Sequence, residues 1–176
     1  MSHLAPELTT ERLRLRGYAL ADFDWFDALR SDPVVMRHAG GVRPDRADNW
    51  RRFLMNFGVW ELFGYGFWMV EERAGGARIG LCGLFNAQRG IAAIDAYPEA
   101  GWMIAAAAFG KGYATETMRA VLDWADAHLD VTQTGCIIDP AHAVSIRVAD
   151  KLGYRPTGMA PFDGGRIATF VRPRAG

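Results

Sequence analysis

The sequence predicts an α/β fold with a mixed sheet, on the strength of three observations. The first half of the 176-residue chain is rich in strands, two of which form a hairpin around Gly75-Gly76. The second half alternates strands with amphipathic helices, the order expected of βαβ units. No internal repeat, low-complexity block or linker divides the chain, so we expect a single domain over residues 1–176.

Hydrophobic spacing defines the elements of the first half. Leu13 and Leu15 alternate with arginines, the period-two pattern of a half-buried strand. Two amphipathic helices follow, separated by an irregular segment at 34–43, and Gly58 or the residues just after it should end the second helix. The predicted strands are 13–15, 66–72 and 79–85. The first helix has apolar positions at 23–29 and stops at Ser31-Asp32-Pro33, and the second follows Pro44-Asp45 with its apolar face at 50–57.

The second half contains a strand, a glycine turn and a long helix, then a further strand and a further helix. Asp139-Pro140 has the favoured order of cap and proline, so the last helix should begin there and end at Gly153. Its expected buried stripe is Val144, Val148 and Leu152. The other predicted spans are strands 102–104, 133–138, 154–158 and 167–172 and helix 114–129.

Composition limits the classes of partner. The formal net charge is zero, which gives no field to attract nucleic acid, and no apolar run is long enough for a membrane span or a signal core. We therefore expect a cytoplasmic protein with a small-molecule or protein partner. Cys82 and Cys136 lie in apolar strand-like runs without ligand spacing, so we interpret both as reduced core residues and expect no metal.

A glycine turn, Gly110-Lys111-Gly112, stands where an apolar strand gives way to the long helix. The first turn of a helix has unpaired N–H groups and the positive end of the helix dipole, so this turn suits a phosphate. It lacks both the full dinucleotide fingerprint and the Ser or Thr that follows the lysine of a P-loop. On spacing alone, phosphate binding and a purely structural turn are equally good interpretations.

The wider pattern resembles one family over nearly the whole chain. FGKGYA (109–114) resembles the acyl-CoA pyrophosphate loop of the GNAT N-acetyltransferases, with Phe109 in place of the usual Gln or Arg. DPAHAVSIRVADKLGYRPTG resembles the family's later helix and strand, and TERLRLR and SDPVVMRH resemble its N-terminal part. Among its branches, the RimJ/RimL-like ribosomal-protein N-terminal acetyltransferases are the most similar.

The resemblance implies a mostly antiparallel sheet whose fourth and fifth strands splay apart to admit acetyl-CoA as co-substrate. The edge at Met103 and Ile104 would pair with the pantetheine arm, and Ser145 matches a family serine near the thiol. His142 replaces the asparagine of the family's Asn-x-x-Ser element. The residues implied for the pyrophosphate loop are Phe109, Gly110, Lys111, Gly112, Tyr113, Ala114 and Thr115.

The resemblance also implies catalytic roles. Glu99 matches an acidic residue at the start of the family's fourth strand and is the candidate general base, the alternative being a solvent-exposed carboxylate. Ala149 replaces a tyrosine that acts as general acid in many members. Three alternatives remain for the leaving thiolate: a proton from Ser145, a proton from water, or departure without assistance. Arg147 and Lys151 either meet the CoA 3′-phosphate or form a solvated face.

The resemblance thus implies transfer of an acetyl group to a primary amine, either a small molecule or a protein N-terminus, by a chain that would form a homodimer. A non-catalytic CoA sensor is the main alternative, because Ala149 and His142 depart from the family pattern. A nucleotide-binding regulator ranks last, because Lys111 lacks the following hydroxyl residue.

Overall fold

A computed structural model describes residues 5–39 and 45–175, so the predicted irregular segment at 34–43 is seen only as far as residue 39. The strands are β1 (Leu8–Thr9), β2 (Leu13–Arg16), β3 (Phe67–Glu72), β4 (Arg78–Phe85), β5 (Glu99–Ile104), β6 (Gln133–Ile138), β7 (Arg155–Phe162) and β8 (Gly165–Pro173). The helices are α1 (Phe23–Ser31), α2 (Arg46–Phe63), α3 (Ala92–Asp95), α4 (Tyr113–His128) and α5 (Ala143–Lys151).

The described strands form one sheet in the order β1-β2-β3-β4-β5-β6-β8-β7. Every neighbouring pair is antiparallel except β5 and β6, which run parallel and share the single registered pair Glu99 and Gly135. Beyond that pair the two strands diverge. The expected mixed, mostly antiparallel sheet with splayed fourth and fifth predicted strands is confirmed.

Helices cover both faces of the sheet. Neighbouring side chains of β3 point to opposite faces, and each packs in a cluster with a different helix. Met69 belongs to an apolar cluster with Phe26 of α1 and Phe53 of α2. Trp68, the next residue toward the start of β3, belongs instead to the cluster that includes Met118 of α4. No helix within the described ranges is both long enough and apolar enough to cross a membrane. Cys82 and Cys136 are buried free thiols, as expected.

Two helix boundaries differ from the prediction. α2 continues through Gly58, which lies in open space, and ends at Gly64, whose φ of 69° is left-handed. α5 begins at Ala143 rather than beside Pro140, because Asp139 accepts from the Ala141 N–H in a turn before the helix.

The buried face of α5 also differs from the predicted stripe. Val144 is 58% exposed, whereas Ala149 is fully buried and Leu152 is buried as expected. The predicted end is confirmed, since the Gly153 N–H donates to the Asp150 carbonyl and the Tyr154 N–H donates to the Ala149 carbonyl.

A buried carboxylate joins the N-terminal strands to the start of α1. Asp22 is 0% exposed and accepts from the Arg16 guanidinium at 2.7 and 2.9 Å, from Arg78 Nε at 2.8 Å and from the Ala19 N–H at 2.8 Å. Burial raises the pKa of Asp22, but the bonds from Arg16, Ala19 and Arg78 outweigh it and leave the pKa below its usual value. This cluster fixes the entry of α1 against β2 and β4.

Replacing Asp22 by alanine should lower the free energy of unfolding by about 3 kcal/mol, because two guanidinium groups would lose their shared partner. Asp24→Ala is the matched control, since Asp24 pairs with Arg46 at the exposed surface and should contribute about 1 kcal/mol or less. Because the Asp22 pKa is depressed in the folded state, its contribution is complete above about pH 5 and is lost as the pH falls through the folded pKa. Urea unfolding of both variants measures this, and equal losses would contradict it.

Candidate active site

A long groove opens where β5 and β6 diverge. It encloses about 1410 Å³ and runs from the glycine turn before α4, past β5 and α5, to the β7–β8 hairpin and the α1–α2 pair. Parallel strands that separate expose unpaired backbone groups along the opening. The groove is therefore a product of the sheet topology.

The glycine turn forms one end of the groove. Gly110 and Gly112 both have left-handed φ values, 75° and 80°, which glycine adopts without strain. Gly112 caps α4, and the first helical bond runs from the Glu116 N–H to the Gly112 carbonyl. The backbone N–H groups at 113–115, which precede that bond, are left without helical acceptors at the positive end of α4.

The Lys111 side chain lies outside the groove lining. Its Nζ is 3.7 Å from Glu72, and its carbonyl accepts from Arg12. Phe109, by contrast, lines the groove with half of its surface exposed. The positive potential of the turn therefore comes from backbone N–H groups and not from the lysine ammonium.

Contacts with the N-terminal strands hold the glycine turn in place. Glu116 accepts from Thr10 and from the backbone N–H and Nε of Arg12. Burial raises the pKa of Glu116, but these hydrogen bonds lower it overall. The Tyr113 hydroxyl donates to Glu72 at 2.7 Å. Glu116 thus has a structural role, as its place in the first turn of the helix indicates.

The middle of the groove is lined by β5 and α5. Met103 and Ile104 lie on the stretch of β5 that has left β6, so the expected backbone edge is present there. Ser145 of α5 faces them and accepts from Trp102 Nε1 at 3.3 Å. Arg147 and Lys151 also line the groove.

Glu99 lies in the groove at the point where β5 and β6 still pair. It is 3% exposed, so the alternative of a solvent-exposed carboxylate is wrong. Arg89 donates to it through Nε at 2.8 Å and through Nη2 at 3.0 Å, and its guanidinium lies near the rings of Phe85 and Phe162. Burial raises the pKa of Glu99 above its usual value, although Arg89 opposes the shift.

A histidine pair that the sequence did not reveal lies on the opposite side of the groove. His38 Nδ1 is 2.8 Å from the Asp139 carboxylate, and its ring stacks on His142 at 4.3 Å between centroids. The His38 bond lowers the pKa of Asp139, whereas burial and the neighbouring His38 lower the pKa of His142. His142 therefore stacks on another groove residue and is not a plain surface histidine. Asp139 follows β6 directly, but nothing in the sequence links it to His38, 101 residues away.

Comparison with known proteins identifies the family. The model of the Acetyltransferase (GNAT) domain matches residues 12–155. The curated relative YkkB of Bacillus subtilis (strain 168), an uncharacterized protein, is 34% identical over 152 residues, 84% of each chain.

Solved structures agree in fold. A putative GNAT-family acetyltransferase from Bordetella pertussis has a TM-score of 0.84 at 27% identity, over 96% of this chain and 99% of that one. AAC(6')-Ib in complex with ribostamycin and coenzyme A has a TM-score of 0.77 at 19% identity, over 93% and 94%. Spermidine N-acetyltransferase from Vibrio cholerae in complex with CoA and spermine has a TM-score of 0.75 at 17% identity, over 94% and 97%.

The matched family model spans β2 to β6, the glycine turn and the whole of α5, and the split sheet is the one that the sequence resemblance implies. The chain therefore belongs to the GNAT acetyltransferase family.

Proposed function

We propose that the protein transfers an acetyl group from acetyl-CoA to a primary amine by direct attack within a ternary complex. One observation carries the proposal: a groove between diverging parallel strands has a helix N-terminus with unpaired N–H groups at one end and titratable side chains further along it. Family membership and the CoA-bound structures of similar fold support the same cofactor.

Coenzyme A would lie along the groove with its pyrophosphate on the turn from Phe109 to Thr115. The pantetheine arm would pair with β5 at Met103 and Ile104 as an added strand. Arg147 and Lys151 on α5 would meet the 3′-phosphate, and Ser145 and His142 would lie beside the arm. Backbone N–H groups, fixed in direction before binding, give the anion affinity without the entropy cost of ordering long side chains.

Transfer requires loss of a proton from the acceptor ammonium, because only the neutral amine attacks the thioester. We propose Glu99, acting through water, as the base. Its raised pKa makes it a better proton acceptor than an ordinary carboxylate, and Arg89 keeps it ionised in a buried position. The His38 and Asp139 pair is a second candidate, since a histidine held by a carboxylate is a common arrangement for general base catalysis.

The leaving thiolate needs a proton or a stabilising donor. Ala149 is fully buried in the core, so no acid can act from that position. Ser145 lines the groove and accepts from Trp102, and no described residue is recorded as accepting from its hydroxyl, which supports it as the proposed donor, directly or through water.

The acceptor and the branch of the family stay open. Two complexes of similar fold, described above, contain an aminoglycoside and a polyamine, which favours a small-molecule amine over a protein N-terminus. The RimJ/RimL-like branch and a cytoplasmic location stay predictions from the sequence.

The alternative of a non-catalytic CoA sensor draws on two observations. Glu99 is held in a two-point ion pair, and Ala149 has no acid–base group. A sensor predicts CoA binding without turnover on any amine, and that outcome would replace the proposed reaction.

Acetyl-CoA at 100 times its dissociation constant should stabilise the fold by about 2.7 kcal/mol. Gly112→Ala should weaken CoA binding about tenfold, since a left-handed alanine is disfavoured by about 1–2 kcal/mol and the turn would relax away from the ligand. Gly76→Ala is the matched control, because Gly76 has a φ of 69° in the β3–β4 turn, away from the groove. Thermal unfolding with and without CoA separates the two. Equal CoA affinity in both variants would contradict the assigned loop.

Glu99→Gln should lower kcat about a hundredfold or more with little change in CoA affinity, because it removes the proposed base. Arg89→Gln should raise the Glu99 pKa by removing its cation, and thereby move the acidic limb of the pH profile of kcat/KM to higher pH. His38→Gln is the comparison variant and should leave that limb in place. If the limb follows His38 and not Arg89, the base is His38.

A further inference from the structure

The groove is positively charged although the chain as a whole is neutral. Among the described residues, seven Lys or Arg side chains line it against three carboxylates, and two of these carboxylates, Glu99 and Asp139, are already paired. Arg147 and Lys151 lie on α5, beside the proposed CoA arm. Arg89 is the partner of Glu99. The remaining cations lie toward the acceptor side: Arg30, Arg37, Arg52 and Arg166.

Arg30 is held in place with part of its guanidinium free. Its Nε donates to Asn49 Oδ1 at 3.0 Å, and the fully buried Asn49 donates in turn to Asp27 at 2.8 Å. Among the described residues no carboxylate forms an ion pair with Arg30, and its neighbouring charge is Arg52 of α2. Burial and the repulsion from Arg52 lower the pKa of Arg30. Two guanidinium groups near each other, one partly buried and oriented by an amide, form a site that an anion would stabilise.

Tyr18 adds an unused donor to the same part of the groove. Its ring stacks on Phe53 at 5.6 Å and lies edge-on to Phe26, so the side chain is fixed. Its hydroxyl is buried and, within the described residues, has no hydrogen-bond partner. Buried hydroxyl groups are nearly always bonded, so an unpartnered one in a ligand groove indicates a missing partner.

We infer that Arg30 and Tyr18, with Arg52 beside them, form a subsite for an anionic group of the acceptor, so that the acceptor is an amine that also carries a carboxylate or a phosphate. This inference rests on the proposed acetyl transfer in one respect, namely that the bound amine is the acetyl acceptor. The anion site itself does not depend on turnover. The guanidinium groups supply donors only and the Tyr18 hydroxyl can add one more donor, which suits an acceptor-only ligand such as a carboxylate or phosphate oxygen.

The same charges disfavour polycationic acceptors. A polyamine or an aminoglycoside would place ammonium groups beside unpaired guanidinium groups, and like charges at close range are costly in a partly buried site. The chain therefore shares a fold with the Vibrio cholerae spermidine N-acetyltransferase, whereas its own groove disfavours a polycation such as the spermine of that complex.

Two matched pairs of amines test the subsite: phosphoethanolamine against ethanolamine, and β-alanine against propylamine, with spermidine as a polycation. Calorimetric binding is measured in the presence of CoA, and acetyl transfer is measured separately with acetyl-CoA. At least one acidic amine should bind about tenfold or more tightly than its neutral-tailed counterpart. The phosphate and carboxylate arms show which anion is preferred.

Variants identify the residues responsible. Arg30→Gln should weaken binding of the preferred acidic amine about tenfold or more, and Tyr18→Phe about threefold or more, with CoA affinity unchanged. Tyr18→Phe should leave the free energy of unfolding unchanged or slightly raised, because the lost hydroxyl makes no bond in the free protein. Arg51→Gln is the control, since Arg51 pairs with Asp48 outside the groove and should change nothing.

The outcomes separate the two proposals. Acidic amines that bind but are never acetylated would leave the anion site standing and overturn the proposed transfer. Acetylation without preference for acidic amines, unaffected by Arg30→Gln, would overturn the subsite and leave transfer standing. Absence of binding by every acidic amine, whatever the other amines do, also overturns the subsite.

Discussion

The loss of pairing between β5 and β6 is the constraint on which the candidate site depends. The strands are parallel, and they share one registered pair, at Glu99 and Gly135, before they part. Pairing along their full length would leave no groove, no free edge for a pantetheine arm and no access to Glu99. Because the strands diverge toward the glycine turn, the opening leads directly to the positive end of α4.

Charge is distributed along the groove in a way that suits two different anionic partners. At one end the donors are backbone N–H groups, which provide a fixed dipole without a mobile side chain, and Lys111 is held away by Glu72. On the acceptor side the donors are guanidinium groups and a phenol. Between them lies the buried Glu99, whose ionised form Arg89 stabilises through hydrogen bonds from Nε and Nη2. A single neutral chain therefore contains a strongly polarised interior surface.

Local patterns predicted the elements well where one residue type decides the structure. The alternation at Leu13 and Leu15 follows from side-chain period, and the glycine that ends α5 follows from its left-handed backbone. Gly58 was expected to end α2, but the helix continues through it, because an exposed glycine is tolerated inside a helix that packs through its other residues. The start of α5 was misplaced because the Asp139 side chain satisfies the Ala141 N–H in a turn, which competes with helix formation.

The candidate site was predictable only in part, because its remaining components meet through tertiary contacts. The glycine turn and Glu99 stand in one continuous stretch of sequence and were found there. His38 with Asp139, and Arg30 with Tyr18, come from separate elements, and no spacing rule joins them. Whether a carboxylate is buried or exposed likewise depends on what packs over it, as Arg89 and Phe162 do for Glu99.

The bonds from Thr10 and Arg12 to Glu116 couple the N-terminal strands to the glycine turn, the proposed pyrophosphate site, across more than 100 residues of sequence. β1 and β2 lie at the edge of the sheet, where strands open most readily. Opening of that edge releases Glu116 and with it the first turn of α4, so a ligand that binds the ordered turn also holds the edge closed. Cofactor occupancy and protection of the N-terminal strands against hydrogen exchange are therefore two measures of one equilibrium.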